Sequence, residues 1–158
     1  MVLEQARLRG AKIATAESCT GGLIIGSLTE IAGSSDIIDR GFITYANEAK
    51  MAMLGITEQA LKDHGAVSEQ VARAMAMGAL VQSDATLAVS CTGVAGPGGG
   101  SKEKPVGLVH MAVARQVNGQ GPSCLHHEAR FGEQGRAAIR LATVRQAHRM
   151  LLQQLAQL

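Results

Sequence analysis

Short apolar strands alternate with helices through the first half of the chain, and this order narrows the choice of fold. Strands are predicted at 12–16, 37–46 and 85–91, and the intervening segments have helical spacing or helix caps. Two further strands, 106–115 and 125–131, follow one another and are expected to pair antiparallel before a long amphipathic helix at 136–157. We therefore predict an α/β fold, a three-layer α/β/α sandwich with a mixed sheet, forming a single domain over residues 1–158.

The predicted helices have recognisable ends. One helix covers residues 3–9 and closes at Gly10, and Thr20 stands where an N-cap belongs before an apolar run that extends to Ile31. A short helix at 47–54 stops at Gly55. Thr57 and Ser68 are predicted caps of the next two helices, and the second of these continues to about Gln82.

Three aromatic residues, Phe42, Tyr45 and Phe131, must serve the whole chain, so the core is expected to be aliphatic. Without tryptophan, and with a net charge of +2, the chain offers neither a base-stacking platform nor a basic footprint, and we expect no nucleic-acid partner. Its apolar stretches are too short to cross a bilayer. The three cysteines are widely spaced, and the N-terminus does not resemble a signal peptide. We therefore predict a cytoplasmic protein with reduced thiols.

The segment 15–22, TAESCTGG, places a serine in the turn between a strand and a helix. A hydroxyl at the carboxyl end of a strand suits a nucleophile, and N–H groups at the start of the following helix suit an oxyanion. The alternative is an ordinary helix cap formed by Ser18 or Thr20. Cys19 is a rival nucleophile, or a small buried residue.

The segment 41–50, GFITYANEAK, contains the single tyrosine, Tyr45, and a lysine five residues later. A serine nucleophile needs a base, and no histidine with an acidic partner is apparent near Ser18. A lysine whose pKa is lowered by burial or by nearby cations can supply the base, and a tyrosine can relay the proton. The alternative is a surface lysine on a short helix.

Five glycines lie within residues 93–100, directly after a predicted strand. They would let the backbone approach an anion closely, and they would equally suit a flexible loop. No GK[ST] follows, so this is not a Walker A loop. His64, His110 and His148 are isolated in the sequence, and neighbouring His126 and His127 point to opposite faces of a strand, so we expect no metal and no cofactor.

Taken together, five segments resemble the C-terminal domain of the CinA family, in that family's order and spacing. They are Thr15–Gly22, Gly41–Lys50, His64–Glu69, Ser90–Gly100 and Lys104–Leu108. Larger members of this family carry an additional N-terminal domain, and stand-alone members include nicotinamide-nucleotide amidases. The resemblance implies hydrolysis of the carboxamide of nicotinamide mononucleotide, which gives nicotinate mononucleotide and ammonia.

The resemblance assigns the nucleophile to Ser18 and acid–base assistance to Tyr45 and Lys50. Ser18 would attack the amide carbon, and N–H groups near Thr20 to Gly22 would form the oxyanion hole. A pyridine nucleotide is the expected small-molecule partner. Its contacts are expected from Thr20, Gly21, Gly22, Asn47, Thr92, Gly93, Gly96, Arg136 and Arg140.

One segment departs from the family pattern. The family has Gly-Asp-Arg after a phenylalanine and before the last helix, whereas Phe131 is followed here by Gly-Glu-Gln-Gly-Arg. Arg136 and Arg140 keep the Arg-x-x-x-Arg spacing. The alternative function is a non-catalytic nucleotide-binding or competence/DNA-damage-related regulatory module on the same fold, which would not need all of Ser18, Tyr45 and Lys50. An apolar last helix fits either a homo-oligomer or a satisfied core.

Overall fold

The computed structural model describes residues 1–117 and 119–158, and within these residues it contains five strands and six α-helices. The strands are β1 Ile13–Glu17, β2 Ile38–Ile43, β3 Leu87–Gly93, β4 Leu108–Val117 and β5 Gln120–Arg130. The helices are α1 Val2–Leu8, α2 Leu23–Thr29, α3 Asn47–Leu54, α4 Glu58–His64, α5 Glu69–Val81 and α6 Arg136–Leu155. A 3₁₀ turn covers Ser34–Asp36.

The strands form one mixed sheet in the order β2-β1-β3-β4-β5. Strand β1 pairs parallel with both β2 and β3, whereas β4 pairs antiparallel with β3 and with β5. The predicted mixed sheet is therefore confirmed. Because β1, β2 and β3 run in the same direction, the turns that follow Glu17, Ile43 and Gly93 meet at one edge of the sheet.

Helices cover both faces of the sheet, so the three-layer prediction is confirmed. Helices α1, α2 and α6 pack on one face, against β-residues such as Ile13, Val89 and Met111. Helices α3, α4 and α5 cover the other face, where alanines of β1, β3 and β4 let α5 approach closely. As the composition requires, aliphatic side chains dominate both clusters.

The predicted N-cap of α2 is wrong. Thr20 does not cap α2: the N-cap is Gly22, with φ +97°, and the helix ends at Thr29 rather than Ile31. The predicted caps of α4 and α5 are confirmed, because the Thr57 and Ser68 hydroxyls accept from the N–H groups of Ala60 and Val71.

Strand β5 begins at Gln120, five residues before the predicted start at Leu125. Gly121 and Pro122 weaken the strand pattern in the sequence, but β4 extends far enough to pair with this segment. Strand β4 itself begins at Leu108 rather than Val106, since Gly107 has φ +90° and donates its N–H to the Val94 carbonyl. None of the helices in residues 1–117 and 119–158 has the length and apolar character needed to cross a membrane.

Candidate active site

Ser18 and Lys50 meet at the edge of the sheet where β1 and β2 end. Ser18 follows β1 directly, and Lys50 lies in the first turn of α3. The Lys50 ammonium Nζ lies 3.2 Å from Ser18 Oγ, 2.9 Å from the Thr44 carbonyl oxygen and 3.1 Å from the Tyr45 carbonyl oxygen. The interpretation of Lys50 as a surface lysine is therefore wrong: its side chain is 1% exposed.

Burial lowers the pKa of Lys50, and the nearby Cys19, Cys91 and Glu48 oppose that shift. The three hydrogens of the charged amine match its three oxygen partners. A neutral amine would keep both carbonyl contacts with its two hydrogens and turn its lone pair towards Ser18 Oγ. The site therefore holds the lysine in a position from which it can accept the serine proton.

The structure also brings a residue to the site that the sequence did not single out. Glu17, the last residue of β1, is fully buried, and its carboxylate accepts hydrogen bonds from the turn and helix that follow. One signal was present in the sequence: an acid at the end of an apolar strand is costly to bury unless its oxygens are hydrogen-bonded.

Two of the N–H groups predicted to form the oxyanion hole, those of Gly21 and Gly22, are already hydrogen-bonded. The Gly21 N–H donates to the Ser18 carbonyl, and the Gly22 N–H donates to Glu17 Oε2, so neither is free for a substrate oxygen. The N–H groups of Cys19 and Thr20 lie in the same turn. Across the described part of the chain, neither donates to an oxygen acceptor. If this turn forms an oxyanion hole, these two N–H groups are its donors.

Cys19 is a poor rival to Ser18. It is 6% exposed, and a hydrogen bond with Cys91, together with burial, raises its pKa well above the ordinary range. A thiol becomes nucleophilic as its thiolate, which this environment disfavours. The Lys50 amine contacts Ser18 Oγ instead. The geometry thus supports the serine as nucleophile.

Arg136, at the start of α6, connects Tyr45, which follows β2, to Gly96 in the glycine-rich loop after β3. Arg136 Nη2 donates to the Tyr45 hydroxyl oxygen at 3.1 Å, and Arg136 Nη1 donates to the Gly96 carbonyl at 3.1 Å. Tyr45 is 61% exposed, and because Arg136 acts on its oxygen, the phenolic hydrogen stays available to another acceptor. Among the described residues, the contact of Tyr45 with Lys50 is made by its main-chain carbonyl rather than by its hydroxyl.

Arg140 lies one turn further along α6 and contacts the turn of residues 18–22, since its Nη2 donates to the Thr20 carbonyl at 2.8 Å. Its buried Nε has no partner among the described residues. The Thr20 hydroxyl is not free for a substrate, because it donates to Glu17 Oε2 at 2.6 Å. Arg140 and Thr20 therefore support the turn in this structure.

The remaining predicted contacts are less well placed for a ligand. The Thr92 hydroxyl is buried and donates to the Ala66 carbonyl. Gly93 and Gly96 are required by packing, since an added Cβ would lie 2.7 Å from the Leu108 carbonyl oxygen and 2.7 Å from Val106 Cγ1, respectively. Asn47 begins α3 with an exposed side chain, and no described hydrogen bond joins it to Ser18 or Lys50.

His110, which was expected to be isolated, forms a pair with His126 across β4 and β5. His110 Nδ1 lies 3.0 Å from His126 Nε2, and the rings stack at 5.2 Å. Burial lowers the pKa of each. Among residues 1–117 and 119–158, no group of three or more His, Cys, Asp or Glu side chains is placed to hold a metal ion.

Fold and site together define a class of protein: three-layer α/β sandwiches that place a serine beside a buried lysine at the carboxyl edge of a mixed sheet. Solved structures share this fold, and two of them serve as examples. A competence/damage inducible protein from Agrobacterium tumefaciens matches with a TM-score of 0.88 and 56% identity, over 96% of this chain and 93% of that one. A CinA superfamily protein from Klebsiella pneumoniae matches with a TM-score of 0.90 and 33% identity, over 99% and 94%.

The chain belongs to the family of the CinA C-terminal domain, whose model matches residues 1–155. A nicotinamide-nucleotide amidohydrolase PncC from Escherichia coli strain K12 is 48% identical over 151 residues, which are 96% of this chain and 88% of that protein. A CinA-like protein from Chlorobium luteolum is 54% identical over 114 residues. That relative and three similar ones are longer, and the matches span 26% to 34% of their length.

Proposed function

We propose that this chain is an amidase that hydrolyses the carboxamide of nicotinamide mononucleotide to nicotinate mononucleotide and ammonia. The observation that carries the proposal is the buried Lys50 amine 3.2 Å from Ser18 Oγ. The amidohydrolase name of the Escherichia coli relative, which this chain matches over 96% of its length, supports the substrate. The steps below use side chains and main-chain N–H groups of this chain, the substrate and one water molecule.

The first half of the reaction acylates Ser18. Neutral Lys50 takes the Ser18 proton as Oγ attacks the amide carbon, and the carbonyl oxygen of the substrate becomes an oxyanion. The N–H groups of Cys19 and Thr20 are the proposed donors to that oxygen. The intermediate then collapses, the carbon–nitrogen bond breaks, and the leaving nitrogen takes a proton and departs as ammonia.

Lys50 and Tyr45 share the proton transfer to the leaving nitrogen. Lys50 gives up the proton that it took from Ser18, and the exposed Tyr45 hydroxyl relays it. The hydroxyl donates its own hydrogen to the nitrogen, since Arg136 acts on its oxygen, and takes the Lys50 proton in exchange, so Tyr45 is restored and Lys50 is neutral again. In the second half, water attacks the acyl carbon, Lys50 accepts a proton from that water, and Ser18 Oγ regains a proton as the carboxylate leaves. One amide and one water thus give one carboxylic acid and one ammonia.

The phosphate of the nucleotide is proposed to meet Arg136 and the neighbouring part of the glycine loop. The Arg136 guanidinium lies between the Tyr45 hydroxyl and the Gly96 carbonyl, at the mouth of the site. A guanidinium recognises phosphate by charge and by paired N–H donors. Thr92 contributes to the shape of the site, since its hydroxyl is already engaged with Ala66.

A binding-only regulatory module remains the second candidate, because the matching Agrobacterium tumefaciens structure is described as a competence/damage inducible protein. A protein that only binds nucleotides has no use for a lysine whose charge must be buried beside a serine. Turnover separates the two functions directly. A binding-only module would bind nicotinamide mononucleotide without releasing ammonia.

The test is ammonia release from nicotinamide mononucleotide by the purified chain, with free nicotinamide and nicotinamide adenine dinucleotide as comparison substrates. Wild type is expected to release ammonia, and Ser18→Ala is expected to release none above background. Ser35→Ala, an exposed serine in the 3₁₀ turn, is the matched control and should keep the wild-type rate. Full activity in Ser18→Ala would refute the serine mechanism, and an inactive wild type would refute the amidase.

A further inference from the structure

Glu17 has more hydrogen-bond partners than any other side chain near the site. Its Oε1 accepts from the Thr15 hydroxyl at 3.1 Å and from the Ile25 N–H at 2.8 Å. Its Oε2 accepts from the Thr20 hydroxyl at 2.6 Å and from the N–H groups of Gly22 and Ile24, both at 3.0 Å. A carboxylate without a proton only accepts hydrogen bonds and has about four lone-pair sites, so these five donors fill it and at least two of the three donors to Oε2 share a site.

These bonds replace an ordinary helix cap. Gly22, the N-cap of α2, has no side chain to accept the first N–H groups of the helix. The carboxylate instead reaches them from the end of the preceding strand, across a turn in which Gly21 and Gly22 have φ of +58° and +97°. The conformation of residues 18–22 therefore depends on one carboxylate, which links the end of β1 to the main-chain N–H groups of Gly22, Ile24 and Ile25.

The main chain of Glu17 also connects Ser18 to Lys50. The Glu17 carbonyl accepts from the Thr44 N–H at 2.9 Å, and the Thr44 carbonyl accepts from the Lys50 amine at 2.9 Å. Ser18 is held in turn by its N–H, which donates to the Cys91 carbonyl at 3.1 Å. Glu17 is thus bonded to Ser18 in the chain and is connected to Lys50 through Thr44. Among the described hydrogen bonds, its carboxylate contacts neither Ser18 Oγ nor Lys50 Nζ.

From this geometry we infer that Glu17 is a positioning residue for catalysis: its carboxylate fixes the turn so that Ser18 Oγ faces Lys50 and the Cys19 and Thr20 N–H groups stay free for the oxyanion. This inference rests on the proposed amidase function. The carboxylate also accepts from the Gly22, Ile24 and Ile25 N–H groups, so these three cannot bind the oxyanion. The N–H groups of Cys19 and Thr20 remain as its donors. Its effect belongs to the transition state, in which the oxyanion forms.

The first test is Glu17→Gln, which keeps the size of the side chain and replaces one oxygen by an NH₂ group. An NH₂ group cannot accept, so either orientation of the amide leaves at least one of the main-chain N–H groups of Gly22, Ile24 and Ile25 facing another donor. We expect kcat to fall by about 10²-fold, the effect of a displacement of about 1 Å in a reacting group. KM should change by less than about 3-fold, because the lost contact acts in the transition state.

Two controls separate positioning from general support of the fold. Thr15→Val and Thr20→Val each remove one hydroxyl donor to the same carboxylate, but Thr20 lies in the turn of residues 18–22 and Thr15 lies in β1. We expect kcat to fall by about 10-fold in Thr20→Val and by less than about 2-fold in Thr15→Val. Val113→Ala, a buried change in β4, should lower stability and leave kcat close to wild type.

Each outcome decides the question. Wild-type kcat in folded Glu17→Gln, or equal losses in the two threonine variants, would overturn the positioning role. The positioning role would also be overturned if Val113→Ala and Glu17→Gln lose equal stability and their kcat values fall by the same factor. If Glu17→Gln fails to fold, the threonine pair alone carries the test. Full activity in Ser18→Ala would instead refute the proposed function on which the inference rests.

Discussion

Replacing Lys50 by methionine removes the amine while keeping most of the volume of a side chain that is 1% exposed. We expect kcat for ammonia release to fall by about 10²- to 10⁴-fold, the range for a lost general acid–base group. At about 1.36 kcal/mol per factor of ten, the barrier rises by about 3 to 5 kcal/mol. KM should change little, because the amine is buried against Ser18 and two carbonyl groups.

The size of this loss follows from the contacts of the amine. Of its three oxygen partners, two are carbonyls that can only accept, and the third is Ser18 Oγ at 3.2 Å. Among the described residues, no other basic group contacts Ser18 Oγ, so nothing replaces Lys50 as the acceptor of its proton. The remaining activity would come from binding and from the turn N–H groups.

The pH dependence supplies an independent signature. Burial lowers the pKa of Lys50, and in the proposed mechanism the neutral amine is the base, so kcat/KM should rise with pH up to that pKa and then level off. Stability follows the same direction. Between the lowered pKa of the folded state and the ordinary value of about 10.4, the unfolded chain binds more protons, so the free energy of unfolding rises with pH. Lys50→Met should abolish both dependences.

The assay is ammonia release from nicotinamide mononucleotide across a range of pH, with circular dichroism to show that each variant is folded. Lys62→Met is the matched control, since Lys62 is exposed and pairs with Glu58 on the surface of α4. This control should keep the wild-type rate and pH profile. An unchanged kcat in Lys50→Met, or a pH profile identical to that of wild type, would show that Lys50 is not the base.

Three further predictions test other parts of the site and its support. Tyr45→Phe keeps the carbonyl contact with Lys50 and removes the hydroxyl, so kcat should fall by about 10-fold or more with a smaller change in KM; a change in KM alone would make the hydroxyl a binding group. Cys19→Ala should keep kcat within about 3-fold while thermal unfolding shows a loss of about 1 kcal/mol, and loss of turnover in the folded variant would restore Cys19 as a candidate nucleophile. Gly78→Ala in α5 should lower the free energy of unfolding in denaturant by about 1 to 3 kcal/mol, because the added Cβ would meet the backbone of Leu54, the last residue of α3. Unchanged stability would show that α3, the helix that carries Lys50, can shift freely.

Much of the architecture could be predicted from local patterns. The spacing of apolar residues located all five strands, and helix α3 was placed at its observed bounds because Gly55 ends it in a left-handed conformation. Strand ends were less predictable. The start of β5 at Gln120 depends on pairing with β4, a contact that overrides the turn signals of Gly121 and Pro122.

The site was predictable where a single residue carries the chemistry and was missed where several segments share a hydrogen-bond network. Ser18 and Lys50 were predicted as site residues, and the structure places Ser18 Oγ and Lys50 Nζ 3.2 Å apart although the two residues are 32 positions apart in the sequence. Glu17 was missed because its donors come from residues 15 to 25, and the path between them includes two glycines with positive φ. The donors predicted at Gly21 and Gly22 were wrong for the same reason.

The sequence by itself determined the order of strands and helices, the aliphatic core and the residue types available for acyl transfer, since these follow from local periodicity and side-chain chemistry. Tertiary structure decided which of those residues can act. It buried Lys50 against Ser18, engaged the hydroxyls of Thr20 and Thr92 elsewhere, and gave the carboxylate of Glu17 to the turn amides. The physical reason is that burial and hydrogen-bond competition depend on groups brought together by the fold, which no local pattern of residues encodes.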